Sequence, residues 1–329
     1  MSHLQKIFQD CAAQKVAVVG DVMLDSYWWG VVERISPEAP VPVVSKKKSE
    51  HRIGGAGNVA LNTVSLGAQT TLFSVLGDDR EGELLTELLM QQNIDTKFMV
   101  SSRSRITTHK TRIISRSQQM LRMDSEITDD ISDDDKEQLF SNFITYVKRY
   151  QPGVVIFEDY NKGVLTADLI SAMIGICRDQ GVATAVDPKR KNFFAYKHAD
   201  IFKPNVKEVK EAFNLIFDEV TEEILSDIHH QMHDQLEHKI SFITLSEKGV
   251  FLQKGNFHRI IPSHKRSIAD VSGAGDTVIA VASLVYAACR DIILAAEIAN
   301  IAGGLVCEEV GTVAIQKEKL LQECMRILD

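Results

Sequence analysis

Asp270-Val-Ser-Gly-Ala-Gly-Asp-Thr277 runs without a break into Val278-Ile-Ala-Val-Ala-Ser-Leu-Val-Tyr-Ala-Ala-Cys289, a glycine loop followed by an apolar run of helical length. Small residues there let successive backbone N–H groups face outward at a helix N-terminus, where unpaired donors and the helix dipole together make an anion site. An aspartate in a first helical turn ordinarily serves as a cap or a favourable dipole charge. Beside an anion-binding loop, however, Asp276 repels phosphate unless it has a chemical task, such as accepting the proton of a hydroxyl that attacks phosphorus. Asp276 is therefore the candidate base, and Gly273, Ala274 and Gly275 are the candidate anion hole. Asp270, which precedes the glycines, is expected only to fix the loop by hydrogen bonds. The apolar run is interrupted by Ser283 and ends at Arg290. It is too short to span a bilayer and reads as a buried core helix.

Upstream of this loop, strand-like and helix-like runs alternate. Val16–Gly20, Thr71–Leu76, Val154–Phe157, Val182–Val186, Ile201–Phe202 and Ile240–Leu245 read as strands. Helical patterns follow Asn58, run from Leu84 to Met90, cover 166–179 and begin after Asn205. That rhythm predicts an α/β fold with a doubly wound, mostly parallel sheet, built as one unit over residues 1–329. Two stretches break it. Pro37, Pro40 and Pro42 forbid helix around Val41–Val44, and Thr107–Met123 carries β-branched residues without helical periodicity. Segments of about 35–46 and 107–124 are expected to form a small inserted β-sheet that acts as a lid, and its strand edges are expected to pair with a second copy in a homodimer. Trp28 and Trp29, which follow the first strand, are read as packing residues, with a lid hinge or a stacking surface for sugar as the alternatives.

The composition, 44% hydrophobic and 25% charged over 329 residues, is that of a globular chain. A net charge of −8 with a pI near 5.7 gives no general attraction to nucleic acid or to an anionic membrane. Any phosphate chemistry must use local cations. Five cysteines at wide spacing, with no C-x-x-C pair, read as reduced thiols, and the N-terminus lacks a signal-peptide pattern, so a cytoplasmic protein is expected. Five aspartates within Asp129–Asp135 read as a solvated helix entry, and His229, His230, His233 and His238 as an exposed helical stretch.

The second glycine cluster, Gly54-Gly-Ala-Gly-Asn-Val-Ala60, formally fits a dinucleotide fingerprint, and a Rossmann dehydrogenase is one alternative. Against it, Lys46–Arg52 stands where that fingerprint needs an apolar strand. No P-loop sequence occurs, so a kinase built on this chain must use another fold. Lys203-Pro-Asn-Val-Lys-Glu208 opens a helix with Asn205 as N-cap and Glu208 three residues on, a capping-box spacing that by itself requires no further role. Arg112, Arg116 and Arg122 fall at even spacing along one predicted strand and should project from one face. With Lys189, in the Asp187-Pro-Lys-Arg-Lys191 turn after a core strand, they are candidate contacts for a phosphate already on the substrate.

Taken together, the glycine cluster with Asn58, the Asn205-x-x-Glu208 pair and Gly273-Ala-Gly-Asp276 occur in the order seen in ribokinase-like, PfkB-type carbohydrate kinases, which the chain resembles over almost its whole length. Within that family, Ile35-Ser-Pro-Glu-Ala-Pro-Val-Pro-Val43, Gly20-Asp-Val-Met-Leu-Asp25 and Ser115-Arg-Ser-Gln-Gln119 look closely like bacterial heptose-7-phosphate kinases of lipopolysaccharide core synthesis. The resemblance implies ATP-dependent transfer of phosphate to D-glycero-D-manno-heptose 7-phosphate, with Mg²⁺ and, as a further option, a monovalent cation. It implies ATP contacts at Asn205, Lys207, Glu208, Thr244, Gly249 and Asn300, with Glu208 serving the metal through water. It also implies substrate contacts at Asp21, Asp25, Gly54, Gly55, Asn58 and Gln119. Many such kinases are fused to a nucleotidyltransferase domain bearing H-x-G-H. This chain has no such motif, so that activity is expected to be absent. Other PfkB-type kinases and a catalytically silent sugar or nucleotide sensor on the same fold are the remaining alternatives.

Overall fold

The computed structural model describes residues 2–116, 118–217, 219–264 and 266–328. From the N-terminus, α1 (His3–Ala12) leads into β1 (Lys15–Gly20), and a long hairpin follows, β2 (Val22–Ile35) and β3 (Pro42–Gly55). The chain continues through α2 (Ala56–Ser65), β4 (Gln69–Phe73), β5 (Val75–Gly77), α3 (Arg80–Gln91) and β6 (Val100–Ser102) to a second hairpin, β7 (His109–Ser115) and β8 (Gln118–Ser125). Next come α4 (Asp133–Tyr150), β9 (Val154–Glu158), α5 (Ala167–Asp179), β10 (Ala183–Asp187), β11 (Ile201–Phe202), α6 (Val206–Phe213) and α7 (Glu222–Leu236). β12 (Ile240–Thr244), β13 (Val250–Lys254), β14 (Phe257–Ile261), α8 (Ala274–Cys289), α9 (Ile292–Val306) and α10 (Lys317–Leu328) complete the order.

The main sheet runs β14-β13-β12-β11-β10-β9-β1-β4, parallel from β4 to β12 and antiparallel at β13 and β14. Its central strands are apolar on both faces because both are covered. In β1, Val16 and Val18 enter one core with α2, α8 and α9, while Ala17 and Val19 enter the other with α4, α5 and α7. α8 is apolar all round because α9 and α2 cover what the sheet does not. This is the doubly wound α/β sheet that the strand and helix rhythm predicts. All its parallel strands end on one edge, where Phe73, Gly20, Glu158, Asp187, Phe202 and Thr244 are the terminal residues.

The second sheet has the order β3-β2-β7-β8, antiparallel within each hairpin and parallel between β2 and β7. It extends beyond the segments expected outside the core. Residues 36–41 are turn rather than strand, and β2, with Trp28 and Trp29 on it, belongs wholly to this sheet. The 107–124 stretch is not one strand either. It is a hairpin that turns at Arg116, which adopts φ +56°, and Ser117 lies outside the described residues. Thr71–Leu76 likewise divides, because the Ser74 hydroxyl donates to Gly20 O at the bend and β5 leaves the main sheet to pair with β6.

Helix starts follow local chemistry. Ser132 caps α4 and Asp133, Asp134 and Asp135 fill its first turn, favourable charges at a positive helix end. The histidine expectation fails at two positions, where His229 and His238 are buried and share Ser241 Oγ at 2.8 and 2.6 Å. The helical stretch turns that face toward β12, so only His230 and His233 are exposed. Among the described residues no helix is long and apolar enough to cross a membrane.

Candidate active site

The glycine loop delivers α8 to the edge where the parallel strands end. Gly273 caps the helix at φ +77°, a conformation that disfavours a side chain, and a Cβ there would also crowd Asn58 Nδ2 and Thr312. Asp276 follows in the first turn with 5% of its surface exposed. Its Oδ1 accepts the Tyr160 hydroxyl at 2.7 Å and its Oδ2 accepts Asn58 Nδ2 at 2.8 Å. Asn58 is held in turn by Asn62, whose amide donates to Asn58 O at 2.8 Å. Burial raises the Asp276 pKa above the usual aspartate value, and the bonds from Asn58 and Tyr160 only partly offset it. A carboxylate shifted in this direction is a better proton acceptor than an exposed one.

Beneath the Gly273–Gly275 loop lies a buried charge network. Lys203 Nζ pairs with Asp187 Oδ2 at 2.7 Å, and both would stand 3.9 Å from a Cβ placed on Gly275. Lys189 Nζ donates to Glu208 Oε1 at 2.5 Å and stands 3.5 Å from Asp187 Oδ1. Burial pushes the Asp187 carboxyl up, but Lys189 and Lys203 more than compensate and hold it below the usual range. Glu158, the register neighbour of Asp187, feels the same two lysines, but they offset too little. It is fully buried, neither carboxyl oxygen has a hydrogen-bond partner among the described residues, and burial with Asp187 and Asp276 nearby drives its pKa well above normal.

Asn205 and Glu208 form the predicted capping box, with Glu208 N donating to Asn205 Oδ1 and Asn205 N donating to Glu208 Oε2, both at 2.8 Å. Asn205 also bridges to Thr244 at the end of β12. Gly249 abuts the backbone of Ile261 and Ser263, and Asn300 on α9 donates to Pro262 O at 2.8 Å, so these candidate nucleotide residues converge on one stretch of chain. Lys207 does not join them. It is exposed and faces Glu211 one helical turn away at 3.7 Å, because its place on α6 points it to solvent.

On the second sheet, buried Asp25 pairs with Arg112 Nη1 at 2.5 Å, and the Arg112 guanidinium lies over the Tyr27 ring. Gly54 packs against the Asp25 carboxylate, and Gly55 caps α2. Arg112 and Arg122 do share a face, as cross-strand partners of a hairpin rather than by spacing along one strand. Arg122 is drawn to Asp124. Arg116, in the turn, and Gln119, on β8, are exposed, and neither makes a side-chain hydrogen bond to another candidate residue among the described residues. Asp21 is committed elsewhere, since its carboxylate accepts the backbone N–H groups of Tyr160, Lys162 and Val164 and so fixes that loop. Tyr160, Glu158 and Lys203 were not singled out from sequence. Their signal is position, since Glu158 ends β9 and the other two lie just past the ends of β9 and β11.

Magnesium chemistry fits this donor set in one way. Among the described residues no group of three acidic, histidine or cysteine ligands could hold an ion alone, while Asp187 lies under Gly275 and shares Lys189 with Glu208. Such a site suits an ion carried mainly by phosphate oxygens and water.

The model of the pfkB family carbohydrate kinases matches residues 13–319. The bifunctional protein HldE of Aliarcobacter butzleri is 38% identical over 309 residues, covering 93% of this chain and 63% of that protein. Its counterpart in Geobacter sulfurreducens is 36% identical over 321 residues, covering 97% and 64%. This chain thus spans under two thirds of those relatives' length. Among solved structures, Arabidopsis thaliana ribokinase complexed with ribose and ATP superposes with a TM-score of 0.72 at 20% identity, covering 94% of this chain and 99% of the other. Escherichia coli phosphofructokinase-2 with fructose-6-phosphate gives 0.78 at 17% identity, covering 95% and 100%. These two likenesses speak to the fold.

Proposed function

Because the chain belongs to the pfkB family of carbohydrate kinases, and is an ATP-dependent carbohydrate kinase, we propose that its acceptor is D-glycero-D-manno-heptose 7-phosphate, phosphorylated at the anomeric hydroxyl to the 1,7-bisphosphate that feeds ADP-heptose and lipopolysaccharide core synthesis. The observation that carries the mechanism is the buried Asp276 at the N-terminus of α8, hydrogen-bonded on both oxygens beside an anion-binding loop.

In this reading Asp276 takes the proton of the attacking hydroxyl. The backbone N–H groups of Gly273 and Gly275 would face the transferring phosphoryl group, joined by Ala274 N–H once it leaves Val271 O at 3.3 Å, and the helix dipole favours the charge. Asn58 and Tyr160 orient the carboxylate. Glu208 would hold magnesium through water, and the ion would neutralise charge on the ATP phosphates. Lys189, which bridges Glu208 and Asp187, would move onto a phosphate oxygen when ATP enters. Thr244, Gly249 and Asn300 border the nucleotide.

The second sheet serves as the lid, with Asp25, Gly54 and Gly55 toward the sugar hydroxyls and Arg112 toward the phosphate of the acceptor. The sequence motifs shared with heptose-7-phosphate kinases support this choice of acceptor, and so does a guanidinium that a neutral sugar would not need. Coupled ATP-consumption assays should compare heptose 7-phosphate, free heptose, fructose 6-phosphate and ribose. A kcat/KM for heptose 7-phosphate no higher than for the others would overturn the assignment.

A further inference from the structure

Arg52 lies on β3 of the second sheet, opposite Asp25 in register. Its guanidinium reaches out of that sheet to the loop after α9, donating through Nη1 to Val310 O at 3.0 Å and Thr312 O at 3.3 Å. Gly311 between them, at φ +74°, leaves room for the guanidinium that a Cβ would take away. The same loop is tied to the anion hole. Gly311 N donates to Asp270 Oδ2 at 2.9 Å, Asp270 Oδ1 accepts Ser272 N and Oγ at 2.9 and 2.8 Å, and Thr312 lies against Gly273. Three short links therefore connect the lid to the N-terminus of α8.

On its other side Arg52 is fixed within the lid. Nε donates to Glu50 Oε1 at 2.6 Å, and the guanidinium stacks 4.8 Å from the Tyr27 ring centroid, which stacks on Trp29 at 5.7 Å. A planar group held by a carboxylate, an aromatic ring and two carbonyls has little freedom to move without its partners.

We propose that Arg52 is a positioning residue that couples the lid to the anion hole, so that nucleotide phosphate bound at Gly273–Gly275 changes the position of the lid. Phosphate ordering the 270–273 loop biases the Asp270–Gly311 bond, and Arg52 passes that bias to β3. By linkage the acceptor, held under the lid, favours nucleotide binding by the same factor. Arg52 touches no reacting atom in this scheme.

The molecule carries its own reporter, since both tryptophans of the chain, Trp28 and Trp29, are on the lid strand β2. Intrinsic fluorescence should be titrated with the magnesium complex of the non-hydrolysable ATP analogue AMPPNP, with calorimetry in parallel, for the full chain and for Arg52→Ala and Arg52→Lys. We expect a saturable fluorescence change in the wild type. In Arg52→Ala, AMPPNP affinity should stay within about threefold while the fluorescence change is lost, and Arg52→Lys should regain only part of it. A purely stabilising role for Arg52 would lower Tm and leave the ligand-induced signal intact, and that result overturns the coupling. So does a silent wild type, or loss of AMPPNP binding in both variants, which would put Arg52 in the nucleotide site itself. If Arg52→Ala does not fold, the Arg52→Lys comparison decides. The inference rests on the kinase reading of the site, and the two fail separately. Wild-type protein that does not bind AMPPNP refutes that reading, whereas normal binding with an unchanged signal in the variants refutes the coupling alone.

Discussion

Asp276→Asn separates the proposed catalytic role of this side chain from its structural one. The amide is nearly isosteric, and Tyr160 can still donate to its oxygen. The nitrogen would face Asn58 Nδ2, but turning the Asn58 amide over restores a donor–acceptor pair at the cost of its 3.3 Å contact with Asn62. What the amide cannot do is accept a proton. Removing a general base costs about 10²–10⁴ in rate, or roughly 2.7–5.4 kcal/mol of barrier. Stability should move the other way. Burial raises the Asp276 pKa in the folded state, so its contribution is full below the unfolded value and is lost as pH rises through the folded one; at neutral pH the ionised form is a net cost. The neutral amide of the variant removes that cost. The expected outcome is a kcat lowered on the order of 10²–10⁴ with a Tm equal to or above wild type and unchanged calorimetric ATP affinity. In the wild type, the acidic limb of kcat/KM against pH should lie above the ordinary aspartate value. Turnover near wild type in the variant would remove Asp276 from the chemistry, and a large fall in Tm would show that its hydrogen bonds outweigh its desolvation.

Glu158→Gln should hold Tm equal to or above wild type and flatten its fall on the alkaline side, because a carboxyl with a raised folded pKa loses its stabilising effect as pH rises through that value; an unchanged Tm–pH curve would contradict this. Arg112→Ala should raise KM for heptose 7-phosphate far more than KM for ATP, while Lys189→Ala should also lower kcat, and equal changes in both KM values for Arg112→Ala would count against phosphate recognition by the lid. The edges of the lid, β3 and the wholly exposed β8, are expected to pair with a second copy, so light scattering at micromolar concentration should give a dimer rather than a monomer.

Residues whose neighbours in sequence decide their geometry were legible in advance. The Gly273–Asp276 turn and the Asn205–Glu208 box are each closed within four residues, so glycine and capping chemistry predict them. The alternation of apolar runs likewise gives the main sheet. What escaped depends on chain segments far apart. Tyr160 meets Asp276 across 116 residues, and no pattern around either one announces the other. The extent of β2 is not legible because its partners are β3 and the distant β7, and the outward direction of Lys207 comes from helical phase, invisible in a motif. His229 is buried because a charged helix can still present one stripe to a strand, and His238 because it lies past the end of α7, in the link to β12, where it meets Ser241.

The parallel pairing of β2 with β7 bears on how the molecule assembles. Leu24 must find His109, and between them lie α2, β4 and α3, which belong to the main body. The β2–β3 hairpin has no third strand until β7 arrives, and isolated hairpins are marginal in water. Contacts this distant in sequence form late because loop closure precedes their reward. The body is therefore expected to fold first and the smaller sheet to close onto it afterward. In hydrogen exchange the amides of β7 and β8 should open well before those of β1 and β9, a hierarchy that leaves the smaller sheet the easiest part to rearrange without unfolding the rest.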